Sequence, residues 1–219
     1  MCYSFESSYN NWLLSLITAA VLILSNRAND SINRTNIWTG LFTLTFAQVQ
    51  IIEALIWNEL NHANPDSDKL HQLTGYLPVL LMAQPLVQSI GAYYLSQDAA
   101  VIPLILFNLS MLLYQTYTVK RDRFNSVIGP NGHLIWQRFN ASGESQSIFG
   151  DSVFAYLYVV SLLLPIFWIP NRIIRISLIV YGLASLFYSL YSVPEFGSYW
   201  CYIAIGYGIT GLVTSYLVE

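Results

Sequence analysis

One acidic side chain lies well inside an apolar stretch of this sequence and is the best candidate for chemistry. Glu53 falls within the stretch Asn36–Leu60, whose residues are mostly apolar. A charged side chain at the centre of a bilayer costs roughly 2.5–3.5 kcal/mol, so such residues normally face the interior of a helix bundle. On a helix, Gln50 and Trp57 share the face of Glu53, being three residues before it and four after it. This face predicts a proton or cation site, with Trp57 as a lid towards the membrane interface.

Amide side chains in the next two apolar stretches could complete this site. Gln84 and Gln88 are four residues apart and share one helical face. Pro85 lies between them and lacks a backbone donor, so it should kink the helix. Asn108 lies in the stretch that follows. Because consecutive spans are antiparallel neighbours, we expect these amides to form one polar cluster with Glu53.

Two interpretations of this cluster remain open. Desolvation favours the uncharged form of a carboxyl group, so Glu53 is expected to exchange a proton near neutral pH and couple it to another event. In the alternative, a protonated Glu53 only joins helices through its glutamine neighbours, and such hydrogen bonds are worth roughly 0.6–2 kcal/mol in membranes.

A second candidate site involves the two cysteines. Cys2 and Cys201 fall at the same membrane face if the chain crosses the bilayer seven times, and His133 in the longest loop belongs to that face. A disulfide, a metal site and two unrelated thiols are all open. The spacing of structural zinc ligands, such as C-x-x-C, is absent. The metal is therefore unknown, and no cofactor is identified.

The composition shows what surrounds these residues. Of the 219 residues, 55% are hydrophobic and only 10% are charged, whereas a soluble domain carries roughly 25% charged residues. Mean hydropathy is +0.49. Lipid must therefore solvate the outside, and the bilayer is the principal partner. The net charge of -3 argues against nucleic-acid binding, which needs clustered cations.

The chain divides into about seven apolar stretches. A span needs about 20 mostly apolar residues, and these stretches are apolar on all faces, as lipid-facing or buried helices are. The sequence predicts an all-α polytopic bundle, with residues 1–219 forming one transmembrane domain. Asn64, Asp98, Asp151 and Asn171 are the predicted N-caps of the helices that follow them. The predicted spans are Asn11–Ser25, Asn36–Leu60, His71–Leu95, Ala99–Val119, Val153–Ile169, Ile173–Val193 and Phe196–Val218.

One loop, residues 120–150, is long enough to carry structure of its own. Asn125–Ile128 and His133–Phe139 flank Gly129-Pro130-Asn131-Gly132, a plausible hairpin turn. We expect either a small ordered β-hairpin cap or an irregular loop.

The orientation in the membrane is weakly specified. With seven spans, four Lys and Arg residues fall on one side and five on the N-terminal side, so the positive-inside rule does not decide between the two orientations. We expect the N-terminus to lie outside the membrane.

Three short patches resemble a family of small multi-pass membrane proteins from bacteria, protists and large DNA viruses. The patches are the opening Met1-Cys2-Tyr3-Ser4, the pattern Gln50-x-x-Glu53-x-x-x-Trp57 and the late Gly197-Ser198-x-Trp200-Cys201. Members open with Met-Cys-Phe-Ser, so Tyr3 departs from the pattern. The resemblance implies a multi-pass architecture and points to Cys2, Glu53, Trp57, Trp200 and Cys201, but it implies no reaction.

The leading hypothesis is a small transporter or channel for a solute or ion, coupled to protons through Glu53. The alternatives are a membrane-embedded redox or metal enzyme using Cys2, His133 and Cys201, or a receptor or scaffold without catalysis. A retinal protein of the microbial kind is excluded, because it needs a lysine within its last span and the only lysines, Lys69 and Lys120, fall outside the predicted spans.

Overall fold

The computed structural model describes residues 4–25, 29–139, 143–148, 152–189 and 205–217. The described chain is mostly helical, as predicted. Its helices are α1 (Phe5–Leu24), α2 (Asp30–Leu60), α3 (Ser67–Ser96), α4 (Ile102–Arg121), α5 (Ser152–Leu163), α6 (Arg172–Ser189) and α7 (Ile205–Leu217). Short 3₁₀ turns at Ala99–Val101 and Leu164–Trp168 precede α4 and follow α5.

Four helical segments are long and apolar enough to cross a membrane, which confirms the prediction of transmembrane helices. They are α1, α2, α3 and the continuous segment Ala99–Arg121. Their exposed side chains are large and apolar: Leu106 and Leu113 of α4 are each 61% exposed. Lipid, rather than water, is the solvent that such a surface needs.

The helix ends follow the capping residues, with one correction. Asp98 accepts a hydrogen bond from Ala100 N at 2.9 Å, and Asn171 accepts one from Ile174 N at 3.1 Å, as predicted. The predicted cap Asn64 is wrong, because Asp66 caps α3 by accepting from Asp68 N and Lys69 N. Pro65 and Asp66 lie between the turn that follows α2 and Ser67, the first residue of α3, so the helix begins later than predicted. Asp151 lies outside the described residues.

Close contacts show how α1 and α7 run relative to α2. Gly40 of α2 lies against Ala19 and Ile23 of α1, and Asn36 of α2 bonds to Ser25 of α1, so these two helices are antiparallel and tightly packed. On α7, Gly208 lies against Thr18 and Thr43, and Gly211 against Leu22 and Thr39. The order of these contacts makes α7 parallel to α1 and antiparallel to α2.

Helix α3 is the central element of the fold. It packs against α2, α4, α5, the 3₁₀ turn after α5 and the first β-strand. The Tyr158 hydroxyl of α5 donates to Gln84 of α3. Further along the chain, Trp168 Nε1 donates to Asp98, just after the end of α3, at 2.9 Å. The order of these two contacts shows that α5 runs parallel to α3. Pro78 and Pro85 both lie inside α3.

The long loop forms an ordered three-stranded antiparallel sheet. The strands are β1 (Arg123–Ile128), β2 (Leu134–Phe139) and β3 (Ser145–Ser147), in the order β1-β2-β3. The turn between β1 and β2 is Gly129–Gly132, where Gly132 takes a positive φ of 78°. This sheet is called the cap below.

The cap is fastened to α3 by two hydrogen bonds. Phe124 N donates to His71 Nδ1 at 3.0 Å, and the hydroxyls of Thr74 and Ser126 are 2.7 Å apart. The alternate residues Phe124 and Ser126 are buried on this side of β1, as the two-residue period of a strand requires.

Gly91→Ala should strongly destabilise the bundle, because the indole ring of Trp38 occupies the space of a Cβ at this position. A Cβ on Gly91 would lie 1.6 Å from Trp38 Nε1, and overpacking of this kind costs about 1–3 kcal/mol. Thermal unfolding in detergent would measure the change. The control is Gly75→Ala, whose Cβ would meet Val119 at 3.3 Å and whose helix propensity improves. Equal stability of the two variants would contradict this packing.

Candidate functional site

Glu53 is fully buried within the bundle and receives a hydrogen bond from its own helix. Its side chain is 0% exposed. Gln50 Nε2 donates to Glu53 Oε2 at 3.1 Å, and Gln50 is itself 0% exposed. Trp57, one turn further on, is 5% exposed. The three residues therefore share an interior face, as their spacing predicts.

Glu53 lies near the cap end of the bundle rather than at its middle. Seven residues separate it from Leu60, the last residue of α2, which corresponds to about 10 Å of helix. The antiparallel register of α1 and α2, set by Asn36 Nδ2 donating to Ser25 Oγ at 2.9 Å, brings Ser8 level with Glu53. Ser8 is 0% exposed, and its hydroxyl has no hydrogen-bond partner among the residues that the structure describes. Sequence reasoning missed Ser8, because only the pairing of α1 with α2 reveals its depth.

Gln84 is bonded across to the fifth helix. The Tyr158 hydroxyl donates to Gln84 Oε1, and both residues are 0% exposed. Tyr158 was not predicted as a site residue, since one tyrosine among 16 gives no local signal. The bond joins α3 to α5 in the interior of the bundle.

Asn108 bridges α3 and α4 beside the proline of α3. Its Nδ2 atom donates to Ser89 Oγ at 2.7 Å and to Pro85 O at 3.1 Å. Asn108 is 1% exposed. Asn108 therefore joins α3 to α4 by hydrogen bonds beside Pro85.

Gln88 differs from the other amides. It is 0% exposed, and neither its Nε2 nor its Oε1 atom has a hydrogen-bond partner within the described part of the chain. One turn further along α3, Gly91 lies against Trp38 Nε1. That indole nitrogen likewise has no partner among the described residues. Two buried polar groups therefore lie about one helical turn apart, and neither is bonded to a described residue.

The polar interior spans two levels of the bundle. The contact between Trp38 and Gly91 shows which residues of the antiparallel helices α2 and α3 lie level with each other. With a rise of about 1.5 Å per residue, the backbones of Glu53 and Gln84 lie about 12 Å apart along the bundle axis. The extended side chains, or water, would have to close this distance. A single cluster of Glu53 with Gln84 and Gln88 stays a prediction.

The second predicted site falls mostly on residues that are not described. Cys2 and Cys201 lie outside the described ranges. His133 lies at the turn just before β2 and is 0% exposed, so its imidazole is buried. Within the described ranges, no group of three or more His, Cys, Asp or Glu side chains could hold a metal ion. The pairing of the cysteines stays a prediction.

Two clefts lie at the junction between α4 and the cap. The larger has a volume of about 1120 Å³ and the smaller about 510 Å³. Arg121, Asp122 and Phe124 line both of them. Neither of these clefts is lined by Glu53, so neither opens directly onto the buried carboxyl group.

Asp122 holds this junction together. Arg121 Nε donates to its Oδ1 at 2.9 Å, and Arg138 of β2 donates to its Oδ2 through both Nε and Nη2. Burial raises the pKa of Asp122, but the hydrogen bonds from Arg121 and Arg138 outweigh it and hold the pKa below its ordinary value. The carboxylate therefore stays charged and ties the cap to the end of α4.

Comparison with known proteins gives no relative from which a role could be transferred. No family model, no curated protein and no solved structure matches the chain. The resemblance to small multi-pass proteins therefore stays a prediction.

Gln88→Met should stabilise the protein, because it replaces an unbonded buried amide by an apolar side chain of similar size. Burying an unsatisfied polar group costs about 1–3 kcal/mol. Gln84→Met is the matched control: it removes the acceptor of the Tyr158 hydroxyl and should lower stability. Thermal unfolding of both variants measures the difference, and a Gln88→Met variant that is no more stable than Gln84→Met would show that Gln88 is satisfied in the membrane.

Acid should loosen the cap. A carboxyl group whose pKa is lowered on folding stabilises the fold above its unfolded pKa, about 3.9, and this contribution is lost as pH falls through the lower folded value. The protection factors of the β1 and β2 amides, which correct for the slower intrinsic exchange in acid, should therefore fall below about pH 4, and Asp122→Asn should already show low protection at neutral pH. Asp68→Asn, which removes an exposed carboxylate, serves as control. Unchanged exchange in Asp122→Asn would contradict the role of this ion pair.

Proposed function

We propose that this chain is a small integral membrane transporter of seven spans, in which Glu53 binds and releases a proton during transport. The observation that carries the proposal is the complete burial of Glu53 beside Gln50 in a helix long and apolar enough to cross a membrane. A carboxyl group costs free energy at this position. Its neighbour is an amide that can serve either the charged or the neutral form.

Seven spans agree with the directions of the described helices. Because α7 runs parallel to α1, the chain would cross the membrane an odd number of times from the first helix to the last. The 12 residues of α5 and the 5 residues of its 3₁₀ extension cover about 28 Å at their respective rises. The 18 residues of α6 cover about 27 Å. Both lengths approach the ~30 Å of a hydrocarbon core.

A transporter with a closed interior fits better than an open channel. The two large clefts do not include Glu53 in their walls, and Gln50, Gln84 and Gln88 are each 0% exposed. Access to Glu53 would therefore need a movement of helices. Pro78 and Pro85 weaken the backbone hydrogen bonding of the central helix α3 and provide a place for such a movement.

The transported species is proposed only as a small solute or ion, and the N-terminus outside the membrane stays a prediction. The redox or metal enzyme with Cys2, His133 and Cys201 also stays a hypothesis. Because His133 is buried, it would offer that enzyme no exposed histidine ligand.

A receptor or scaffold is the second candidate, because one observation favours it. The larger cleft opens at the cap, outside the apolar core, where a ligand could bind without crossing the membrane. In that function Glu53 would only join helices, and its protonation would move no proton across the bilayer.

Glu53→Gln should abolish proton movement while leaving the bundle intact, since Gln keeps the size and hydrogen bonding of the side chain but cannot titrate. Proteoliposomes with an internal pH-sensitive dye and an imposed potassium diffusion potential measure the flux. We expect the wild-type chain to acidify the vesicles and Glu53→Gln to match empty liposomes.

The control is Glu6→Gln, which removes an exposed carboxylate at the cap end of α1 and should leave the flux unchanged. Equal proton flux in Glu53→Gln and wild type, or no flux above empty liposomes in wild type, would contradict the transporter and favour the receptor.

A further inference from the structure

The larger cleft beside the cap combines apolar walls with cations. It opens between the first turns of α3 and the start of β1 and has a volume of about 1120 Å³. One wall belongs to α3 and the other to the end of α4 and the cap. The residues that matter for its chemistry are Leu70, His71, Arg121, Arg123, Phe124 and Phe139.

The position of the cleft corresponds to the headgroup layer of a bilayer. Gly75 of α3 lies level with Val119 of α4, and α3 extends from there back to Ser67, about 12 Å beyond that level. The apolar segment of α4 ends at Arg121. A headgroup layer is about 5–8 Å thick on each side of the hydrocarbon, so the cleft lies beside it.

Aromatic side chains on α4 mark the same boundary. Tyr114 is 54% and Tyr117 is 62% exposed, within two turns of Arg121. Tyrosine is enriched where the hydrocarbon meets the headgroups. The exposed tyrosines therefore place the end of α4, and the mouth of the cleft, at the interface.

The charge of the cleft favours an anion. Arg121 and Arg123 are both exposed. Asp122 is the sole carboxylate among the described lining residues, and its two oxygens are bonded by Arg121 and Arg138. Of the two arginines that line the cleft, Arg123 is therefore the one that makes no ion pair with Asp122.

A neutral donor completes the polar side of the cleft. His71 Nδ1 accepts from Phe124 N, so a neutral His71 carries its proton on Nε2 and can donate it. Of the carboxylates nearby, Glu59 lies 2.6 Å from Lys69 Nζ and Asp66 caps α3. Asp68 is exposed but does not line the cleft.

We propose that this cleft binds the phosphate headgroup of an anionic phospholipid, with Arg123 as the principal contact and Arg121 as the second. Guanidinium groups bind phosphate oxygens in a two-pronged geometry. Leu70 and Phe139 provide apolar walls for the glycerol and the first methylenes, which a soluble anion would not use. Basic pockets at the ends of membrane helices bind anionic headgroups in this way.

Native mass spectrometry of the full-length protein tests the proposal. Released from mixed micelles, the protein should retain phosphatidylglycerol in preference to phosphatidylcholine. Arg123→Gln should weaken retention of phosphatidylglycerol about fivefold, the effect of one cation near a membrane surface. Arg123→Lys keeps the charge and should restore most of the retention.

The control is Arg172→Gln, which removes the same charge from the exposed start of α6 at the opposite face and should leave retention unchanged. Equal retention of the two lipids, or an equal loss in Arg172→Gln, would overturn the site. Full displacement of the lipid by an equal concentration of inorganic phosphate would show that the cleft binds a soluble anion and would also overturn the proposal.

Discussion

A hydrogen-bonding group inside a bilayer must find its partner within the protein, because hydrocarbon offers none. Several hydroxyl groups of the described helices meet that constraint within their own helix. Ser15, Thr39 and Thr43 each donate to the carbonyl oxygen four residues earlier, at 2.8 Å in every case. Such bonds need no second helix. A carboxyl group or an amide has more hydrogen-bonding atoms than such a local bond can satisfy, so the remaining atoms of Glu53 and the glutamines need side chains, water or a bound solute as partners.

Helix α3 makes several of the polar contacts between helices and also joins the interior to the cap. Gln84 bonds to Tyr158 of α5, and Ser89 bonds to Asn108 of α4. Near its first turns, His71 and Thr74 bond to β1. A movement of α3 about its prolines would therefore change both the polar contacts in the interior and the hydrogen bonds that hold the cap to α3. This arrangement gives a physical route from the cap face to the interior.

The features that were predictable from the sequence are those that depend on neighbouring residues. The apolar stretches predicted the transmembrane helices, Asp98 and Asn171 predicted the starts of two helical segments, and Gly129–Gly132 predicted the turn between β1 and β2. The starts of α2 and α3 lie before the predicted spans because Asn29 and Asp66 cap these helices outside the apolar core. The fifth helix ends as a 3₁₀ turn, since Pro165 lacks the donor that an α-helix requires.

The site itself was only partly predictable. Spacing alone placed Gln50, Glu53 and Trp57 on one interior face. The contacts that decide the arrangement join residues distant in sequence: Tyr158 with Gln84, Trp38 with Gly91, and Ser8 level with Glu53. No local pattern contains them, because they follow from the register between packed helices. The predicted cap Asn64 failed for a local reason, as Asp66 competes for the same role.

The most direct measurement of the central claim is infrared difference spectroscopy of the protein in lipid, between about pH 5 and about pH 9. A protonated carboxyl group gives a C=O stretching band that disappears when the proton leaves. The account predicts such a pH-dependent band in the wild-type chain, shifted by the hydrogen bond from Gln50 and absent from Glu53→Gln. An identical set of pH-dependent carboxyl bands in the two proteins would show that Glu53 exchanges no proton in this range and would contradict the account.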